Sequence, residues 1–262
     1  MAAIAEELVT DGFDTIKNAS PKIAIIGGGI GGTSTAYFLR ELLPKADISI
    51  FEKDHVGGRL RTTTLAGREY ETGGHDIHPS NAYMSNFLKI CNRSKANLGP
   101  AHSLAVYRHG ELVVEFSDWS AWSSVQLVWR YDYLSLLRFS NFVNDMLWHF
   151  KQIYPKLNSG HAYTKVIDIL NDLYPIKSYP KLLKESLHTA LSHAGVNDLL
   201  INELARIATR VNYGQLPENM HSFAGSVSAA GAQGGLFAVY GGNHHVPECL
   251  FDLSGARKID KL

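Results

Sequence analysis

The sequence predicts an α/β fold, in which a parallel sheet built on a β-α-β unit is interrupted by a mainly helical α+β insert. Three observations predict it. An apolar β-branched run at Lys22–Ile26 ends in Gly27, Gly29 and Gly32 and passes at once into helix-period apolar residues (Ala36, Phe38, Leu39, Leu42, Leu43). A second strand pattern, Asp47 to Glu52, follows at β-α-β spacing and closes on an acid. Beyond residue 116 the chain turns aromatic and helical, and a strand pattern returns only at 234–240.

The first element is a strand, tight turn and helix, and each glycine of its G-x-G-x-x-G spacing has a mechanical reason. Gly27 permits the turn, Gly29 lets a pyrophosphate approach the backbone, and Gly32 lets the helix sit close on the strand. The helix N-terminus then offers unpaired N–H groups and partial positive charge to phosphates. Glu52 stands twenty positions after Gly32, where a carboxylate accepts hydrogen bonds from both adenosine ribose hydroxyls and repels a 2′-phosphate. A glycine-rich turn alone is weak evidence. Strand, helix and acid together point to a Rossmann-like dinucleotide site.

The 262 residues suffice for one large or two ordinary domains, and the net charge is zero with no basic run. Neither nucleic acid nor an anionic membrane surface is indicated as a partner. Residues 1–20 carry Glu6, Glu7, Asp11 and Asp14 without an apolar block, so they read as a short acidic leader ending at Ser20-Pro21. No transmembrane segment and no protein partner are evident. Cys91 and Cys249 form no metal spacing and no C-x-x-C, so no metal site is expected. One bridge between them is compatible with the count, but two separate buried thiols are the expectation. The sequons at Asn18 and Asn92 matter only in a secretory protein.

After the second strand, Val56-Gly57-Gly58-Arg59-Leu60 brings a second glycine pair and a cation. Such a pair lets backbone N–H groups approach an anion, and Arg59 adds charge and planar hydrogen bonding. Thr62–Glu71 reads as a hairpin turning near Ala66-Gly67, and it delivers Gly73, Gly74, His75 and His78. His75 and His78 are candidate acid–base or orienting groups, set against the commoner role of a loop histidine held by structural hydrogen bonds. A helix is predicted from Asn81 to Ile90, and a hairpin across 103–116.

All four tryptophans (Trp119, Trp122, Trp129, Trp148) then fall within thirty residues. Apolar spacing from Leu136 to Tyr154 predicts one helix stopping at Pro155, and further helices span Lys181–Ala194 and Asp198–Val211. An aromatic stripe at helical spacing is usually core; holding an apolar ligand or lying against a membrane are the alternatives.

By these residues the chain resembles the prenylcysteine oxidases, flavoproteins also called farnesylcysteine lyases. The likeness rests on Ile-Gly-Gly-Gly-Ile-Gly-Gly-Thr-Ser at 26–34, Val-Gly-Gly-Arg-Leu at 56–60 and Glu-Thr-Gly-Gly-His-Asp-Ile-His-Pro at 71–79. Leu-Val-Trp-Arg-Tyr at 127–131, Arg-Val-Asn-Tyr-Gly-Gln at 210–215 and Ala-Val-Tyr-Gly-Gly-Asn at 238–243 are the more family-specific segments.

The resemblance implies an FAD cofactor held by Gly27, Gly29, Gly32, Glu52, Gly57, Gly58 and Arg59. It also implies that Gly73 and Gly74 lie beside the isoalloxazine, where side chains would collide with the ring. Implied as well are prenylcysteine and O₂ as substrates, an isoprenoid aldehyde, cysteine and hydrogen peroxide as products, and a lysosomal or secretory location. The alternatives are another FAD oxidoreductase acting on an amine or polyene, or an inactive shortened isoform. The expected organisation is a leader at 1–20, a cofactor domain opening at 21–80, a substrate domain at 81–233 and a return segment at 234–262. Family members are about twice as long, so the rest of the nucleotide-binding domain is expected to be missing after a charged tail.

Overall fold

The computed structural model describes residues 20–97, 104–108, 110–116, 120–173, 179–231 and 235–260. Residues 1–19 of the leader, the Asn18 sequon and Trp119 lie outside them, as do Ser103 and His109 of the second hairpin. The chain divides into two compact units, one formed by the chain up to Asn97 and from Leu236 onward, the other by Leu98–Gly235.

In chain order, β1 (Lys22–Ile26), α1 (Ile30–Leu42) and β2 (Asp47–Phe51) form the β-α-β unit, and β1 and β2 pair in parallel from Lys22↔Asp47 to Ile26↔Phe51. The first hairpin is β3 (Thr62–Leu65) and β4 (Arg68–Glu71), turning at Ala66-Gly67, both at positive φ. Helix α2 (Ala82–Ile90) is capped by Asn81, whose side chain accepts from the Met84 N–H, and β5 (Lys95–Asn97) follows.

The insert contains the β6 (Leu104–Arg108) and β7 (Glu111–Phe116) hairpin, then α3 (Ser120–Tyr131), α4 (Tyr133–Phe150), α5 (Ile153–Asn158), α6 (Val166–Leu173), α7 (Tyr179–Lys184) and α8 (Leu187–His193). Short α9 (Asp198–Leu200) runs through a π-helical turn at Ile201–Ala205 into α10 (Arg206–Tyr213), which ends at Gly214 with φ 65°; α11 (Ser222–Ala230) closes the insert. Its main core gathers Leu187, Leu191, Val196, Leu200, Ile201 and Ala205 around buried Tyr131.

The chain returns through β8 (Phe237–Val239), α12 (His245–Ser254) and β9 (Arg257–Ile259). Strand β8 pairs antiparallel with β5, and β9 adds in parallel to β2, giving sheet order β1-β2-β9. One face of this sheet packs Ile23, Ile25, Ile48 and Ile50 against Ala36, Leu39 and Phe251 of α1 and α12. The opposite flank of α12 meets α2 and the β5–β8 pair through Val246, Leu250, Phe87, Leu88, Phe237 and Val239. Buried apolar surface on both flanks makes α12 the centre of the first unit.

Several expectations need correction. The tail expected to be merely charged forms β9, where Arg257 donates to the Asp47 carboxylate at 2.8 Å. Residues 81–97, read as the start of the substrate domain, belong to the first unit because Met84, Phe87 and Leu88 bury in its core. Pro155 does not stop a helix. It occupies the third position of α5, where a missing N–H costs nothing. The single helix expected over 181–194 is two, because Ser186 turns extended and caps α8 through the Thr189 N–H. The two thiols are in fact a disulfide, Cys91–Cys249, with Cα atoms 6.0 Å apart, since α2 and α12 lie side by side. The core reading fails for the described tryptophans: Trp129 is 88% exposed, Trp148 62% and Trp122 48%.

Candidate dinucleotide site

The first loop is shaped by close contacts of the chain with itself. Gly27 holds φ 95°, and a Cβ on Gly32 would stand 1.9 Å from the Gly27 carbonyl oxygen. Helix α1 can therefore start only where residue 32 has no side chain. Its N-cap, Gly29, makes no side-chain capping bond, and no acid stands in the first turn. No residue of the helix's own first turn offsets that positive end.

The second glycine pair locks onto the first. Gly57 N–H donates to the Gly28 carbonyl at 2.8 Å, Gly29 and Gly57 form an isolated parallel bridge, and a Cβ on Gly58 would lie 3.0 Å from the Gly29 Cα. Gly57 and Gly58 sit at φ 127° and 58°. Two backbone segments are thus brought into van der Waals contact at the point where α1 begins. The Arg59 side chain is exposed beside them.

Glu52 turns toward this cradle. Its Oε2 accepts from the Gly28 N–H at 2.8 Å and its Oε1 from the Asp54 N–H at 3.0 Å. The Gly28 hydrogen bond is the main reason its pKa is lowered. Each oxygen keeps a further lone pair, so the carboxylate can still accept from ribose hydroxyls.

Gly73 and Gly74 lie against the chain's own 59–60 segment. A Cβ on Gly73 would meet the Arg59 carbonyl oxygen at 1.9 Å, and one on Gly74 would meet Leu60 Cδ2 at 2.9 Å. The backbone of the chain's own 59–60 segment by itself demands glycine at 73, whereas at 74 the near atom is the end of a leucine side chain. Gly74 N–H also donates to the Arg59 carbonyl at 2.9 Å.

The two histidines stand apart in role. His75 is exposed, with Nδ1 2.5 Å from Asp76 Oδ1. His78 Nδ1 accepts from the Ser80 N–H at 3.1 Å, which places its proton on Nε2 and turns the ring into a cap for the following bend.

One organising residue was left without a role by the sequence. Asn243 is fully buried; its Nδ2 donates to the Gly74 and His75 carbonyls at 2.8 and 2.7 Å, and its Oδ1 accepts from the Val239 N–H at 2.8 Å. Its own N–H donates to Glu71 Oε1 at 2.6 Å. Asn243 thus fastens the 71–75 loop to the end of β8. The available signal was an amide directly after a strand and a glycine pair.

The insert carries its own polar centre. Glu203, 2% exposed on the π-helical turn, accepts from Arg130 Nε and NH2 at 2.7 and 2.8 Å and from Tyr131 OH at 2.8 Å. Burial first, then the hydrogen bond to Glu203, raises the Tyr131 pKa. Also within the insert is a cavity of about 530 Å³ walled by Phe142, Met146, Leu182 and Ala190, with Glu185 and His193 at its lining.

Residues 114–261, more than half of the chain, match the family described as prenylcysteine lyase. The chain belongs to the prenylcysteine lyase family. Residues 25–93 match the NAD(P)-binding Rossmann-like domain, the segment that holds both glycine pairs and Glu52. Prenylcysteine oxidase 1 of Bos taurus is 39% identical, the match covering 92% of this chain and 47% of that protein. Prenylcysteine oxidase 1 of Mus musculus is 36% identical over 96% and 50%, and prenylcysteine oxidase 1-like of Bos taurus 33% over 91% and 48%. The chain spans about half the length of the curated relatives it matches.

Among solved structures, putrescine oxidase bound to putrescine is similar with a TM-score of 0.56 and 14% identity, covering 92% of this chain and 51% of that one. Cyclohexylamine oxidase from Brevibacterium oxydans gives 0.57 and 17%, over 90% and 50%. At such identities the likeness is one of fold alone.

Proposed function

We propose that this chain carries the dinucleotide-binding core of an FAD-dependent oxidase that cleaves the thioether of farnesyl- or geranylgeranyl-cysteine. With O₂ and water the products are an isoprenoid aldehyde, cysteine and hydrogen peroxide. The observation that carries the reading is the interlocked double-glycine cradle, Gly57 on Gly28 and Gly58 on Gly29, in a member of the prenylcysteine lyase family.

The residues present fit FAD. Gly27, Gly29 and Gly32 clear the start of α1 for the diphosphate, Gly57 and Gly58 form the second wall, and exposed Arg59 can add a cation. Glu52 holds free lone pairs for the ribose. Bound there, FAD supplies hydride acceptance from the allylic carbon next to sulfur. Gly73 and Gly74, fixed by Asn243 and the Arg59 carbonyl, hold the 71–79 loop in a defined position. His75 and His78 serve as orienting groups, since each is engaged by a neighbour in its own loop. The apolar wall of the insert's cavity is of a kind that suits an isoprenoid chain.

Location follows from the same reading. The Cys91–Cys249 disulfide supports an oxidising compartment, in keeping with the lysosomal or secretory expectation.

The test is incubation of the purified, FAD-loaded protein with farnesylcysteine. Peroxide and aldehyde in equal amounts are the expected result. A flavin-loaded protein that yields neither, yet turns over amines, overturns the substrate assignment.

A further inference from the structure

Cysteine spacing gives no metal motif, but the turn that enters α12 reads His244-His245-x-x-Glu248. We propose that these three side chains form a site for a divalent ion of the zinc class. His244 caps α12 with helical angles (φ −60°, ψ −26°), and the Glu248 N–H donates to its carbonyl at 3.2 Å. Glu248 therefore lies one turn beyond both histidines, at i+4 from His244 and i+3 from His245, which puts its carboxylate beside each ring. Their ligand atoms lie within 4.8 Å of one another. His245 Nδ1 is 3.4 Å from Glu248 Oε2, and the two ring centroids are 4.1 Å apart.

Tetrahedral zinc with bonds near 2.1 Å sets its ligand atoms about 3.4 Å apart. Small side-chain rotations of exposed Glu248 and the half-buried rings close the difference. Two imidazoles and one carboxylate favour zinc, cobalt or copper over magnesium or calcium, which prefer all-oxygen shells. A fourth position remains for water.

Two further observations favour a ligand here. His244 Nδ1 is buried and makes no hydrogen bond, so protein hydrogen bonding on that nitrogen does not hold the ring in place. The preceding glycines also make room for both rings. A Cβ on Gly242 would lie 2.5 Å from His244 Nδ1, and one on Gly241 would lie 3.2 Å from His245 Nε2. The site borders the cofactor cradle, since His244 Cβ is 3.9 Å from the position of a Cβ on Gly57. An ion held there pins the Gly241–His245 turn to α12 and stiffens one wall of that cradle.

The test uses the 262-residue chain stripped with chelator and titrated with Co²⁺, then Zn²⁺. One equivalent of Co²⁺ with tetrahedral ligand-field absorption, displaced by Zn²⁺, is expected, together with a rise in melting temperature. Glu248→Gln and His245→Ala should each weaken binding about 100-fold and abolish the thermal shift. Glu248→Gln alters an exposed side chain, so loss of fold does not confuse the result, and circular dichroism checks it. Absence of saturable binding, or binding unchanged in both variants, overturns the proposal.

Discussion

The Cys91–Cys249 disulfide joins the C-cap of α2 to the middle of α12, across a sequence separation of 158 residues. Its removal, by Cys91→Ser with Cys249→Ser, has two calculable consequences. If the whole chain unfolds together, chain entropy for a loop of that length makes the bridge worth about 5 kcal/mol at 25 °C. If the insert stays folded while the cofactor unit opens, only about 20 residues of connecting chain are closed, and the figure falls to about 3 kcal/mol. Urea unfolding of oxidised wild type and the double variant measures the difference. Tryptophan fluorescence reads the insert, which holds all four tryptophans, and far-UV circular dichroism reads the chain as a whole. The two probes separate the two cases, because coincident transitions go with the larger value and split transitions with the smaller. Two thiols titratable in native, unreduced protein would refute the reasoning, as would equal unfolding midpoints.

Other outcomes follow from single residues. Glu203→Ala should destabilise the insert by about 3–5 kcal/mol, because it strands the Arg130 charge and the buried Tyr131 hydroxyl; differential scanning calorimetry checks it. Asn243→Ala should cost about 2–4 kcal/mol, since two carbonyls and one N–H lose their partner at a fully buried position; chemical denaturation measures it. Glu52 has a folded pKa below its unfolded value of about 4.3, so it stabilises the fold above that pH and the contribution is lost as pH falls through the folded value. Glu52→Gln should therefore flatten the acid limb of a stability–pH curve, and an unchanged limb would contradict the Gly28 contact.

What the sequence made legible is what rigid spacing enforces. Gly27 and Gly32 are readable because each answers a separate demand at a fixed offset, a positive φ at 27 and a close approach at 32. The 1.9 Å approach at Gly32 shows how little room there is for any other residue. Glu52 was readable for the same reason, as it closes the strand that must lie beside the loop.

Features built from distant partners were hidden. Nothing in a three-residue charged strand announces β9, whose place is set by pairing with β2. The disulfide depends on α2 lying against α12, which no local pattern encodes. At Gly73 a second demand was hidden, because the atom a Cβ would strike is the Arg59 carbonyl oxygen, fourteen positions back along the chain. The exposed tryptophans mislead because helical spacing reveals a face without saying what that face meets.

The most direct test of the central claim is a flavin-fluorescence titration of FAD into the chain, wild type beside Glu52→Ala. Saturable one-to-one quenching by wild type, weakened about 10–100-fold by loss of the carboxylate, is the predicted result. Equal affinity in the two proteins, or no quenching by wild type, would contradict a cofactor lying across the glycine cradle.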